Sequence, residues 1–153
     1  MPDDLCLGTE LILSLDYIAK AEAERQAWIK ECFTDPNDPY GLVWYGKLGF
    51  ADVPDGDIVA FNPADPKDDK WVVYLSHDDG EGHGWVLAPT FGDFLERLID
   101  IGDLRLEEWE LLGYSEDNDG TGLDPSCEAA DKFRQYIGLD WRSLSEAVDP
   151  KTS

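Results

Sequence analysis

The chain has 153 residues, and 34 Asp and Glu against 12 Lys and Arg leave a net charge of −22 at pH 7. Such a surplus is repelled by phosphate backbones and anionic lipid, which excludes nucleic-acid or membrane binding through a general basic surface and favours cations, cationic ligands and basic proteins. With 42% hydrophobic residues and six Trp, the chain has the composition of a folded domain rather than of a disordered acidic tail.

The N-terminus carries Asp3 and Asp4 where a secretion signal needs basic residues, and the apolar stretch 11–15 is too short to span a membrane. A soluble cytoplasmic protein is expected. Residues 14–33 predict a first helix, capped by Ser14 or Asp16. Its apolar face is Ile18, Ala21, Arg25, Trp28, Ile29, Cys32 and Phe33, and its opposite face Lys20, Glu22, Glu24 and Lys30. Pro36 and Pro39 end it. The apolar run 42–48 fits either a strand or a short buried helix.

Three strands follow in a pattern of antiparallel hairpins. Gly56–Phe61 comes after a Pro54-Asp55-Gly56 turn, 71–76 is the strongest strand, and Gly84–Ala88 returns after a glycine-rich acidic turn. The faces of the middle strand, Trp71/Val73/Leu75 and Val72/Tyr74/Ser76, are apolar enough for it to be covered on both sides. Thr90 with Asp93 predicts a capped helix whose stripe is Phe91, Phe94, Leu95, Leu98 and Ile99. A short helix over 104–112 and a loop over 115–125 come next. A helix over 128–137 then turns Ala129, Ala130, Phe133, Tyr136 and Ile137 inward, and a last one covers 140–148. The expected fold is α+β: a single domain over 1–153, with a mainly antiparallel central sheet and helices packed before and after it.

Cys6, Cys32 and Cys127 contain no C-x-x-C pair, so they read as buried reduced thiols rather than metal ligands or disulfides. The segment 77–83 gathers His77, Asp78, Asp79, Glu81 and His83. A metal centre needs ligands converging from more than one element, whereas a hairpin turn accounts for these glycines and acids, and His77 fits a hydrogen-bonded strand end. Segment 115–126 has a calcium-loop flavour, with Asp117, Asp119 and Gly120 on the third, fifth and sixth positions. Ser115 and Ser126 stand where Asp and a bidentate Glu belong, so a solvated turn is favoured. No nucleophile, metalloprotease, Walker or dinucleotide motif stands in a suitable context. No enzyme activity, cofactor or resident metal is expected.

The series 56–61, then 72–78 ending in His77-Asp78, then 85–95 through Ala88-Pro89-Thr90-Phe91-Gly92-Asp93-Phe94-Leu95, resembles the SUKH superfamily. The match covers about residues 55–99, with 100–153 as a helical C-terminal part. The resemblance implies one non-enzymatic α+β domain. Its bacterial members are similar to immunity proteins that neutralise a cognate toxin by binding it, and its eukaryotic members include regulators of cell-wall synthesis. It implies structural roles for Gly56, Asp57, His77, Phe91, Phe94 and Leu95.

The expected partner is a cognate toxin domain, basic and nuclease-like, in a bacterial cytoplasm. The candidate contacts are Asp78, Asp79, Glu81 and Trp85 in one turn and Glu116, Asp117, Asp119 and Asp124 in another. A regulatory or scaffold module of the same fold and an acidic-loop calcium-binding protein are the alternatives.

Overall fold

The computed structural model describes residues 15–63, 72–78, 80–102, 106, 108–115 and 122–138. Helix α1, Leu15–Glu31, carries Asp16 in its first turn and Lys30 in its last, each matched to the helix dipole. Ser14, Trp71 and the helix expected over 140–148 lie outside the described residues. The stretch left open at 42–48 resolves into a helix end, a turn and a strand start. Asp38 caps the short helix α2, Pro39–Leu42, accepting from the N–H groups of Tyr40 (3.3 Å) and Gly41 (2.9 Å), with Pro39 at the first helical position. Gly46, at φ +67°, then turns the chain into β1, Leu48–Asp52.

The sheet has four antiparallel strands in the order β1-β2-β3-β4, with β2 at Ile58–Phe61, β3 at Val72–Leu75 and β4 at Val86–Ala88. Three strands were expected, and β1 is the addition. Its sequence, Leu-Gly-Phe-Ala-Asp, is poor in strand-forming residues, and a bulge between Gly49 and Ala51 interrupts its pairing. Tertiary packing explains its presence. A Cβ on Gly49 would lie 3.0 Å from the Ala21 carbonyl oxygen, so the glycine lets α1 sit directly on the edge strand. β2 also starts later than expected, because Gly56 and Asp57 belong to the preceding turn.

Strand β3 is internal and all four of its residues are buried. Its side chains alternate between two apolar clusters. Val72 and Tyr74 join Phe50, Val59, Leu87, Phe94, Leu98 and Ile101, under α3 (Phe91–Ile101) and α5 (Glu128–Ile137). Val73 and Leu75 join Trp44, Ile58, Ala60 and Val86, with Trp28, Ile29, Phe33 and Val43 packed against them. The sheet is thus the middle layer of an α+β domain, covered on both faces. No helix among the described residues is long and apolar enough to cross a membrane.

Thr90 caps α3 through the Asp93 N–H at 3.0 Å, as expected. A short helix α4, Glu108–Leu111, runs into a 3-10 turn at Leu112–Tyr114. Three assignments are corrected. Ile99 is 61% exposed, because the third inward position of α3 falls to Ile101; Tyr136 is 87% exposed; and Cys32 is exposed while Cys127 is buried. On α5 the buried positions are Ala130 and Arg134. Arg134 donates to the carbonyls of Asp100 (2.7 Å) and Pro125 (2.8 Å) and pairs with Asp131. The same device recurs on α1. Buried Arg25 holds Glu22 in a two-point fork and donates to the Trp44 carbonyl, and Glu22 also accepts from Gly49 N–H. Two of the scarce arginines therefore serve as internal staples, each neutralised by an acid three residues before it.

Candidate functional site

The residues with the most interlocked chemistry lie at one end of the sheet, where the β1–β2 turn, the end of β3 and α1 meet. The turn is closed by Gly56 N–H donating to the Val53 carbonyl and Val53 N–H to the Asp57 carbonyl, both at 2.9 Å. Pro54 and Asp55 form its corner, and Gly56 sits at φ +107°, which only glycine adopts without strain.

This geometry delivers Asp57 into the interior with 1% exposure. Its Oδ1 accepts from both His77 N–H (2.8 Å) and His77 Nδ1 (2.7 Å), and its Oδ2 accepts from the Tyr74 hydroxyl (2.7 Å). The carboxylate is therefore a clamp between the β1–β2 turn and the end of β3. The imidazole of His77 stacks against Trp28 of α1 with ring centroids 4.8 Å apart, and the Trp28 indole N–H donates to the Gly56 carbonyl at 3.0 Å. His77 is the hydrogen-bonded strand-end histidine that its position suggested.

Asp57, His77 and Asp78 bring one ligand-type atom each within 4.8 Å of one another. As a metal centre the trio fits poorly. Both Asp57 oxygens and His77 Nδ1 are already committed to each other and to Tyr74, and Asp78 accepts from the Ser76 hydroxyl at 3.0 Å. His83 lies apart from this trio. Its Nδ1 accepts from Ser76 N–H, its Nε2 meets the Tyr40 carbonyl, and its ring stacks on Tyr40 at 3.8 Å. The two histidines thus fasten the β3–β4 turn to different neighbours.

Asp55, at the corner, has its carboxyl held above the usual range first by burial and also by the charge of Asp57. The Asp57 N–H and His77 act in the opposite direction. Beside this turn runs an open groove of about 280 Å³ lined by Glu24, Ala27, Trp28, Glu31 and Gly56.

Of the expected contact residues, Asp78 is exposed beside the Asp57–His77 clamp, Glu81 is exposed in the β3–β4 turn, and Trp85 is half-buried. Asp124 accepts from the N–H and hydroxyl of Ser126 and so shapes the entry to α5. Asp79, Glu116, Asp117 and Asp119 lie outside the described residues. The described residues on either side of the second turn lie near the first turn and β4. A Cβ on Gly82 would come within 2.9 Å of Leu112, Asp124 N–H donates to the Tyr114 carbonyl, and Leu123 N–H donates to the Leu87 carbonyl of β4.

The groove residues on α1 were not singled out from the sequence, which placed Glu24 on a solvated face. Glu24, Ala27, Trp28 and Glu31 do carry a signal, the spacing i, i+3, i+4, i+7 of a single helix stripe. That this stripe meets Gly56 and His77 is a tertiary fact. No protein-family model, curated protein or solved structure matches the chain.

Proposed function

We propose that this protein is a non-enzymatic immunity protein of the SUKH kind, which binds a basic toxin domain and blocks it by occlusion. The observation that carries the reading is electrostatic. The chain has a net charge of −22, and among the described residues four bases are held by acids: Arg25 and Arg134 are buried staples, Lys20 pairs with Asp52 and Glu24, and Lys132 pairs with Glu128. The surplus of charge is acidic by a wide margin. Nuclease toxins require cationic clefts, and an acidic inhibitor would be steered to such a cleft and complement it.

The clamped end of the sheet supports the same reading, because it holds carboxylates and a half-buried Trp on a rigid frame. Rigid aromatics among charges are what strong protein contacts use. The neighbouring gene is expected to encode a toxin with a basic domain, and isothermal titration against that domain tests the proposal. Saturable binding that weakens steeply with salt is expected, and no heat at micromolar concentrations in low salt overturns it.

A further inference from the structure

We propose that the groove between α1 and the β1–β2 turn is the receptor for an arginine side chain of the basic partner. This inference rests on the reading of that partner as a cationic protein and adds where and how one of its residues is held. Glu24, Ala27, Trp28 and Glu31 form one stripe of α1, and Gly56 closes the opposite wall. A rise of about 1.5 Å per residue sets the backbone positions of the two glutamates about 10 Å apart along the helix, with Trp28 between them.

Each part of the groove matches a part of arginine. Tryptophan is the best aromatic surface for a cation, and a planar guanidinium stacks on it while its fork of N–H groups reaches carboxylates. Ala27 and the indole edge offer apolar surface to the methylene stem. The indole is already fixed, by its hydrogen bond to the Gly56 carbonyl and its stacking on His77, so little ordering remains for binding to supply. Glu24 is shared with Lys20 at 3.5 Å, whereas Glu31 has no ion-pair partner among the described residues. An anion would be repelled here, and an uncharged apolar group would leave the carboxylates unused.

The test uses the whole chain, labelled with 15N, titrated with Nα-acetyl-arginine amide, and with Nα-acetyl-norleucine amide at equal ionic strength. Trp28→Phe assigns the Trp28 indole signal. Saturable shifts at the Trp28 indole and the Gly56 amide are expected with the arginine compound only. Glu24→Gln with Glu31→Gln, at positions outside the core, should weaken them by about threefold or more. Shifts scattered over the acidic surface, or none at Trp28, overturn the proposal. The toxin titration separates the two levels. Tight toxin binding that the Glu24→Gln/Glu31→Gln protein retains in full would discard the groove and keep the immunity reading. Arginine binding in the groove without toxin binding would do the reverse.

Discussion

On one face of the sheet, Phe94, Leu98 and Ile101 of α3 close over Phe50, Val59, Tyr74 and Leu87, and the cluster continues through Leu111, Leu123 and Ala130. On the other face a smaller cluster around Trp44, Ile58 and Leu75 is completed by side chains that keep partial contact with solvent, among them Trp28, Ile29 and Phe33. The first face is the larger core, with sixteen buried residues against six on the second. The second ends in a rim of aromatic and acidic groups, and that rim is where the groove lies. Asp57 couples the two, since it takes a hydrogen bond from Tyr74 of the large cluster and from His77, which stacks on Trp28 of the small one.

The most direct way to break this division is to truncate each face in turn. Phe94→Ala should cost about 3–5 kcal/mol by loss of burial and creation of a cavity. Trp28→Phe, which removes the bond to the Gly56 carbonyl and part of a half-buried ring, should cost about 1 kcal/mol. Urea denaturation followed by circular dichroism measures both. Equal costs would mean that the α1 side is as much core as the other.

Coupling across the sheet is tested by Asp57. Asp57→Ala strips an acceptor from His77 N–H, His77 Nδ1 and the Tyr74 hydroxyl at once, and should cost about 2–3 kcal/mol. Tyr74→Phe should be milder by itself, and milder still on the Asp57→Ala background, with a coupling of at least about 0.5 kcal/mol. Strict additivity would show that the carboxylate does not join the two clusters.

The legibility of these parts in the sequence follows the range of the interactions. Helix α3 announces itself, because its cap and most of its stripe are local, and the bounds of α5 are legible although its buried face is not; β3 is legible too, because its alternating apolar faces sort into the two clusters. Strand β1 was hidden, since Gly49 serves the close approach of α1 rather than strand propensity. Ile99 and Tyr136 misled because an apolar residue one step off a stripe is indistinguishable from a core residue until the neighbouring helix is placed. At the candidate site, Asp57 and His77 could be picked out as structural through a resemblance, but the carboxylate-to-imidazole contact spans twenty residues of chain. The groove was invisible for the same reason, although its α1 stripe has a helical spacing.

A smaller effect is expected at the turn that delivers Asp57. Gly56→Ala forces a Cβ onto a backbone at φ +107° and should cost about 1–2 kcal/mol. The added methyl would lie 3.4 Å from both His77 and Trp28, ordinary contact distance, so the penalty is one of backbone and not of collision. A thermal shift near zero would show that the turn relaxes, and that Asp57 is placed by its partners instead.

The smallest effects distinguish the two acids that tether α1 and the turn, and they carry opposite signs. Burial pushes the Glu22 carboxyl up, but its hydrogen bonds from Arg25, Gln26 and the Gly49 N–H, with the Arg25 charge, outweigh that and hold it below its usual value. Its stabilising contribution is present above the ordinary glutamate range, about pH 4.3, and is lost as pH falls through the folded value. Asp55 is the reverse case, raised first by burial, so the folded state favours its protonated form. Its contribution is present below the unfolded aspartate value and is lost as pH rises through the folded one. At neutral pH Glu22→Gln should therefore melt below the parent protein. Asp55→Asn should melt slightly above it, because the amide oxygen can still accept the Asp57 N–H. On acidification both differences should shrink toward zero from opposite sides. A melting series from pH 7 to pH 3 checks this, and two curves displaced in the same direction would show that the turn carboxylate is a support of the clamp and not a cost to it.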